Sequence, residues 1–245
     1  MKKLILTTTA LALSASMAFA GGHGKTVRMG TEGAYPPYNF INDKGEVDGF
    51  ERELGDELCK RAELTCEWVT NEWDSIIPNL VSGNYDTIIA GMSITDERDE
   101  VIDFTQNYTQ PDPSSYLALD GTEVDFDGGV IAAQTATIQA GYVAEAGGDL
   151  IEFSTPDETI AAVKSGEADA VLADGDYLLP IVEESGGMLE VVGDSVYIGG
   201  GVGMGIRETD GDLKAAMDAA IEQMKGDGSL NALITKWFDA GSAVY

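Results

Sequence analysis

Short apolar runs of strand type alternate with amphipathic stretches along most of this chain. Residues 26–30, 65–69 and 86–90 read as strands, separated by helical patterns over 50–62, with Leu54 and Leu58 on one face, and over 74–81. The same rhythm returns with strands at 130–133, 150–153 and 168–173 and helices near 137–146, 156–164 and 176–184. Two further amphipathic helices are predicted over 212–224 and 229–238, and Asp43-Lys44-Gly45-Glu46 reads as a hairpin turn. Strands alternating with helices predict an α/β protein whose parallel sheets are covered by helices.

One internal echo bears on organisation. Val81-Ser82-Gly83-Asn84-Tyr85-Asp86-Thr87-Ile88-Ile89-Ala90-Gly91 aligns without gaps on Lys164-Ser165-Gly166-Glu167-Ala168-Asp169-Ala170-Val171-Leu172-Ala173-Asp174. Both segments end a helix at Ser-Gly, turn through an aspartate and enter an apolar strand. The echo predicts two lobes built on similar units, and it puts Gly91 and Asp174 at equivalent carboxyl ends of strands, where open α/β sheets bind ligands. Residues 108–115, with Pro111 and Pro113, and the glycine run 199–205 are expected to cross between the lobes. The glycines have a dinucleotide-type spacing, but no helix pattern starts at them, so a nucleotide fingerprint is rejected. The expected division is a first lobe from residues 25–109 and 200–245 and a second from 110–199, an arrangement suited to hinge closure.

The first twenty residues belong to neither lobe. A basic start, a mostly apolar run over 4–18 and Ala18-Phe19-Ala20 form the pattern of a secretory signal peptide. The run is shorter than the roughly 20 residues of a membrane span, and no cysteine follows the cleavage site to carry a lipid. Removing residues 1–20 takes the formal charge from −29 to −31, which argues against nucleic acid as a partner and for a soluble, exported monomer. Cys59 and Cys66 are spaced wrongly for a metal knuckle or a redox pair. After export they read as one structural disulfide joining a helix end to the next strand. The single histidine, His23, lies in the glycine-rich start of the mature chain, which leaves none for a triad or zinc site. No cofactor and no metal is expected.

Candidate chemistry gathers at strand ends. After Ile88-Ile89-Ala90 comes Gly91-Met92-Ser93-Ile94-Thr95-Asp96-Glu97-Arg98, with Thr95 as N-cap of a short helix. Arg98 then opposes the helix dipole, which suggests that its guanidinium faces an anion such as a small carboxylate, with Ser93 beside it. Behind the first strand, Glu32-Gly33-Ala34-Tyr35-Pro36-Pro37-Tyr38 is held extended by its prolines, placing Glu32 and Tyr35 at that strand's carboxyl end. Tyr35, Phe50 and Trp73 are aromatics at element ends that could line a pocket.

The Glu32–Tyr38 stretch, Gly49-Phe50-Glu51, Trp73-Asp74-Ser75-Ile76-Ile77-Pro78 and Gly91–Arg98 occur in an order and spacing that resemble the periplasmic solute-binding proteins of amino-acid ABC importers. The likeness is to those for lysine, arginine, ornithine, histidine and opines in particular, and the cysteine spacing matches that group. The resemblance covers nearly all of the mature chain and implies the two-lobed periplasmic-binding-protein fold. It implies that Arg98 clamps a ligand α-carboxylate with Ser93 and with amides at the helix start Thr137–Ile138. It implies that Asp174 takes the α-ammonium with backbone from Ala90-Gly91-Met92, and that Tyr35 and Phe50 sandwich the ligand side chain. Ile138 departs from the threonine common at that position, so only its backbone N–H can help.

Charge sharpens the expectation. Arg98 against Glu32 and Asp174 leaves the site one charge negative, so a ligand with a cationic side chain balances it, whereas a neutral zwitterion leaves a carboxylate unpaired. The expected function is delivery of a basic L-amino acid or an opine-like derivative to an inner-membrane ABC permease. Neutral polar or acidic specificity stays open, as does a dehydratase of the same fold using a carboxylate as acid–base.

Overall fold

The structure, a computed structural model, describes residues 26–238 and 242–245. The signal-peptide pattern and His23 lie outside the described residues. Two five-stranded sheets dominate. The first runs in the order Cys66–Thr70, Val27–Thr31, Thr87–Ile88, Gly205–Ile206, Asp103–Phe104. The second runs Asp149–Phe153, Val130–Gln134, Ala170–Asp174, Ser114–Leu119, Leu189–Val196. In each, three parallel strands come first and a strand arriving from the other half of the molecule adds antiparallel: Gly205–Ile206 in the first sheet and Ser114–Leu119 in the second. The expectation of purely parallel sheets is therefore corrected. A strand that enters straight from a crossing segment, with no covering helix before it, is free to run against its neighbours.

The crossing segments touch each other. Val202 bridges both Ser93 and Thr109, and the Tyr108 amide donates to the Val202 carbonyl at 2.8 Å. Gly201 has φ +88°, and a Cβ there would stand 2.6 Å from the Thr109 carbonyl oxygen, so the glycine is what allows the two strands to approach. Residues 108–115, expected to be crossover alone, run into the Ser114–Leu119 strand, which pairs with Leu189–Val196.

Each sheet is covered on both faces. The helix Phe50–Arg61 and the C-terminal helices Gly211–Asp227 and Ser229–Trp237 bury Phe50, Leu54, Leu58, Met217, Ile221, Leu230 and Ile234 against one side of the first sheet. The helix Ile76–Val81 closes the other side with Ile76 and Leu80 against Ile88. In the second sheet, Pro156–Ser165 and Gly175–Glu184 cover one face and Ile138–Ala146 the other. At about 25 cal/mol per Å² of apolar surface, these interfaces are the main favourable term holding the layers. Cys59 and Cys66 form the expected disulfide, with Cα atoms 6.3 Å apart. Closing so short a loop contributes about 2–3 kcal/mol.

Candidate functional site

Between the carboxyl ends of the two sheets lies a small, partly enclosed cavity of about 30 Å³. From elements attached to the first sheet it receives Glu32, Tyr35, Trp73, Ala90, Gly91, Ser93 and Arg98. From the second it receives Gln134, Thr137, Ile138, Gln139 and Asp174.

Arg98 sits in the four-residue helix Asp96–Asp99, whose N-cap Thr95 accepts the Arg98 amide at 3.2 Å. Its guanidinium donates to the Ser93 carbonyl at 2.8 Å and, across the cleft, to the Ala136 carbonyl at 3.3 Å. The Trp73 ring lies beneath it, 5.5 Å from guanidinium carbon to ring centroid, within cation–π range. Burial pushes Arg98 down to about 10, while Asp174 and Glu97 oppose that shift. Ala136 is held at φ +59°, a conformation a non-glycine residue rarely adopts. It precedes the N-cap Thr137, whose hydroxyl accepts from the Ala140 amide at 3.1 Å and donates to the Gln134 carbonyl at 2.7 Å. Thr137 is thus occupied as a cap. The first-turn amides of Ile138 and Gln139, which a helix leaves without intrahelical partners, are the donors it presents.

Asp174 holds the N-cap position of Gly175–Glu184 but makes no capping bond. Its carboxylate instead accepts from the Tyr35 hydroxyl at 2.8 Å and from Gln139 Nε2 at 2.8 Å. Burial pushes Asp174 up to about 6, against the lowering effect of Tyr35, Arg98 and Gln139. Glu32 follows the strand Val27–Thr31, and its Oε1 accepts from Gln134 Nε2 at 2.6 Å. Burial pushes Glu32 up to about 7, helped by Glu72 and Asp157, while Gln134 pulls it down. Ligand-free, the cavity is an expensive place for two carboxylates, and cations brought by a ligand relieve both.

The aromatic wall differs from expectation. Phe50 is fully buried in the core of the first lobe, against Phe238 at 4.9 Å and Tyr108 at 6.1 Å between ring centroids. It opens its helix on the face turned to the sheet, so it does not reach the cavity. Trp73, from a 3-10 turn at the cleft edge, lines the cavity with Tyr35 instead. Met92 is likewise turned into the core beside Ile88, Ile102 and Phe104, while its neighbour Ser93 lines the cavity. Tyr35 stacks on Tyr177 from the second lobe, with ring centroids 4.3 Å apart.

Gly91 shows how the wall is held. At φ +62° its amide donates to Glu51 Oε1 at 2.7 Å. Glu51 is fully buried and also accepts from Asn39 Nδ2 at 2.7 Å and from the Tyr108 hydroxyl. Asn39 in turn accepts the Gly33 amide at 2.7 Å, next to Glu32. Gln134, Gln139, Tyr177 and Glu51 were not predicted as site residues. Gln134 carried a readable signal, since it ends a buried strand just as Asp174 does.

The comparisons with known proteins agree with this architecture. Residues 27–240 match the family model of the bacterial extracellular solute-binding proteins, family 3, and the chain belongs to that family. It is 31% identical over 255 residues to the lysine/arginine/ornithine-binding periplasmic protein of Escherichia coli, covering 98% of each chain. It is 32% identical over 253 residues to the L-arginine-binding protein of Pseudomonas aeruginosa, covering 97% of each. Among solved structures, a periplasmic His/Glu/Gln/Arg/opine family-binding protein from Silicibacter pomeroyi, in complex with lysine, superposes with a TM-score of 0.87. It is 74% identical in sequence, over 90% of this chain and 100% of that one.

Proposed function

We propose that this protein is a periplasmic receptor that closes around a basic L-amino acid and delivers it to an inner-membrane ABC permease. The observation that carries this reading is the convergence of Arg98, Asp174 and Glu32 on one cavity between two lobes. In the proposed pose the α-carboxylate meets Arg98 and the first-turn amides of Ile138 and Gln139. The α-ammonium meets Asp174, the side chain runs between Tyr35 and Trp73, and its distal cation ends at Glu32. Two ligand cations then face two carboxylates whose burial would otherwise favour protonation. Relatives named for lysine, arginine and ornithine support the same ligand class.

Residues 25–109 with 200–245 and residues 110–199 are proposed as the bodies that close. Closure is favoured because Tyr35 to Asp174, Glu32 to Gln134 and Arg98 to Ala136 each span the cleft. The signal-peptide pattern and the periplasmic relatives support export to the periplasm. Binding without covalent chemistry is the proposed mechanism, as the names of the relatives suggest. A thermal-shift screen across the amino acids tests it: a ligand at about 100 times its Kd adds roughly 2.7 kcal/mol. Lysine, ornithine, arginine or histidine should raise the melting temperature more than glutamine or glutamate. A larger shift with glutamine or glutamate would transfer the assignment to the neutral or acidic class.

A further inference from the structure

Resting on the receptor reading, one contact narrows the ligand chemistry. Gln134 is buried at the end of the strand Val130–Gln134, and its Nε2 donates both to Glu32 Oε1 at 2.6 Å and to the Ser154 carbonyl at 3.1 Å. Both partners are acceptors, so the orientation of the amide is determined, and both its N–H groups are used. Glu32 belongs to the first lobe and Gln134 to the second, so the contact forms where the lobes meet around the cavity. One Glu32 oxygen is therefore already engaged in the closed arrangement.

Ammonium and guanidinium groups respond differently to such an acceptor. A guanidinium is a planar fork that matches a carboxylate best when both oxygens are open to it. An ammonium is a compact point charge with three rotatable donors, and a single oxygen serves it well. We propose that Gln134 is a specificity-determining residue: by occupying one acceptor position of Glu32 Oε1 it leaves Oε2 as the fully open oxygen, an uneven pair that selects alkylammonium side chains, such as those of lysine and ornithine, over guanidinium side chains that need both oxygens alike. The same amide supplies Oε1 as its remaining polar atom, an acceptor with which an ammonium can be shared.

Calorimetric titration of wild type, Gln134→Leu and Gln134→Met with lysine, ornithine and arginine tests this. Leucine and methionine keep an apolar body of similar size and remove the amide, and methionine offers a second, more flexible replacement should leucine disturb the strand. Wild type should bind lysine and ornithine more tightly than arginine. The ratio of arginine Kd to lysine Kd should fall by about tenfold in the variants, the value of one hydrogen bond to a charged group. Wild type favouring arginine, or a ratio unchanged in both variants, overturns this inference and leaves the receptor reading standing. Absence of wild-type binding to all three amino acids overturns the basic-ligand reading as well.

Discussion

The Tyr35 hydroxyl donates to Asp174 across the cleft at 2.8 Å, while the Tyr35 ring stacks on Tyr177 with centroids 4.3 Å apart. One residue of the first lobe thus grips the second through both a polar tip and an apolar face. The two contributions separate by mutation. Tyr35→Phe keeps the ring and loses a hydrogen bond to an ionised acid, worth about 1.5–3 kcal/mol. Ligand affinity should drop by about ten- to a hundredfold, read by calorimetry. Tyr35→Ala should lose more, since the stack goes too. Equal affinities for wild type and Tyr35→Phe would mean that the hydroxyl is idle in the bound state.

Arg98 has fewer substitutes. Its guanidinium reaches Ser93 and Ala136 carbonyls in different directions while lying over Trp73. Lysine cannot reproduce that fork. Arg98→Lys should therefore bind far more weakly than wild type, and Arg98→Ala should lose about 3–5 kcal/mol by leaving a buried ligand carboxylate unpaired. Titration with a basic amino acid and with its α-amide locates the loss: if Arg98 holds the carboxylate, the amide should be insensitive to the mutation. An equal drop for both ligands would place Arg98 elsewhere in the mechanism.

Much of this architecture is legible in the sequence, and the gaps have physical causes. Apolar runs located the central strands Val27–Thr31, Val130–Gln134 and Ala170–Asp174 because those strands are mostly buried, whereas the edge strands Cys66–Thr70 and Asp149–Phe153 are half-exposed. Leu189–Val196 escaped because polar and glycine positions such as Glu190, Gly193 and Asp194 interrupt the apolar pattern, and it takes shape only by pairing with Ser114–Leu119. Arg98 and Asp174 were readable from their places at strand ends. Phe50 and Trp73 were not separable by that argument, since each stands near an element end. Only the facing of the Phe50–Arg61 helix turns Phe50 inward and leaves Trp73 at the cleft. Gln134 and Gln139 act through partners on other elements, Glu32 and Asp174, which local sequence does not bring together.

Glu51 illustrates a role that is structural yet reaches the cavity. Its carboxylate accepts from Gly91 and Tyr108 on one oxygen and from Asn39 on the other. Asn39 cannot reverse its amide, because its Oδ1 already accepts the Gly33 amide. Glu51→Gln would thus set an NH₂ group against a donor. We expect a loss of about 1–3 kcal/mol of stability, visible as a lower urea midpoint with the m-value unchanged. Ligand binding should weaken as well, since Gly91 lines the cavity and Gly33 directly follows Glu32, which also lines it. A midpoint equal to that of wild type would mean that the network adapts freely to the amide.

Acid should act in opposite directions on the empty and the loaded protein. Burial raises Glu32 from 4.5 to about 7 and Asp174 from 3.8 to about 6. In the empty protein both groups hold protons that the unfolded chain has released, so their contribution to stability grows as pH falls from about 7 toward the unfolded values. A ligand ammonium beside each carboxylate favours the ionised form, so binding a basic amino acid at low pH must expel those protons. The nearby Glu72, Asp157 and Asp112 only reinforce protonation of the empty site, and Arg98 opposes it at Asp174. Lysine affinity should therefore fall by about a hundredfold between about pH 8 and pH 5.5, mostly through Glu32. Proton release measured by calorimetry in buffers of different ionisation enthalpy should approach one per lysine bound near pH 6.5 (about half a unit below the Glu32 value). Glu32→Gln should remove the upper part of that dependence and leave the Asp174 part. A lysine affinity flat across this range would show that neither carboxylate changes protonation on binding, and would detach the two acids from the ligand's cations.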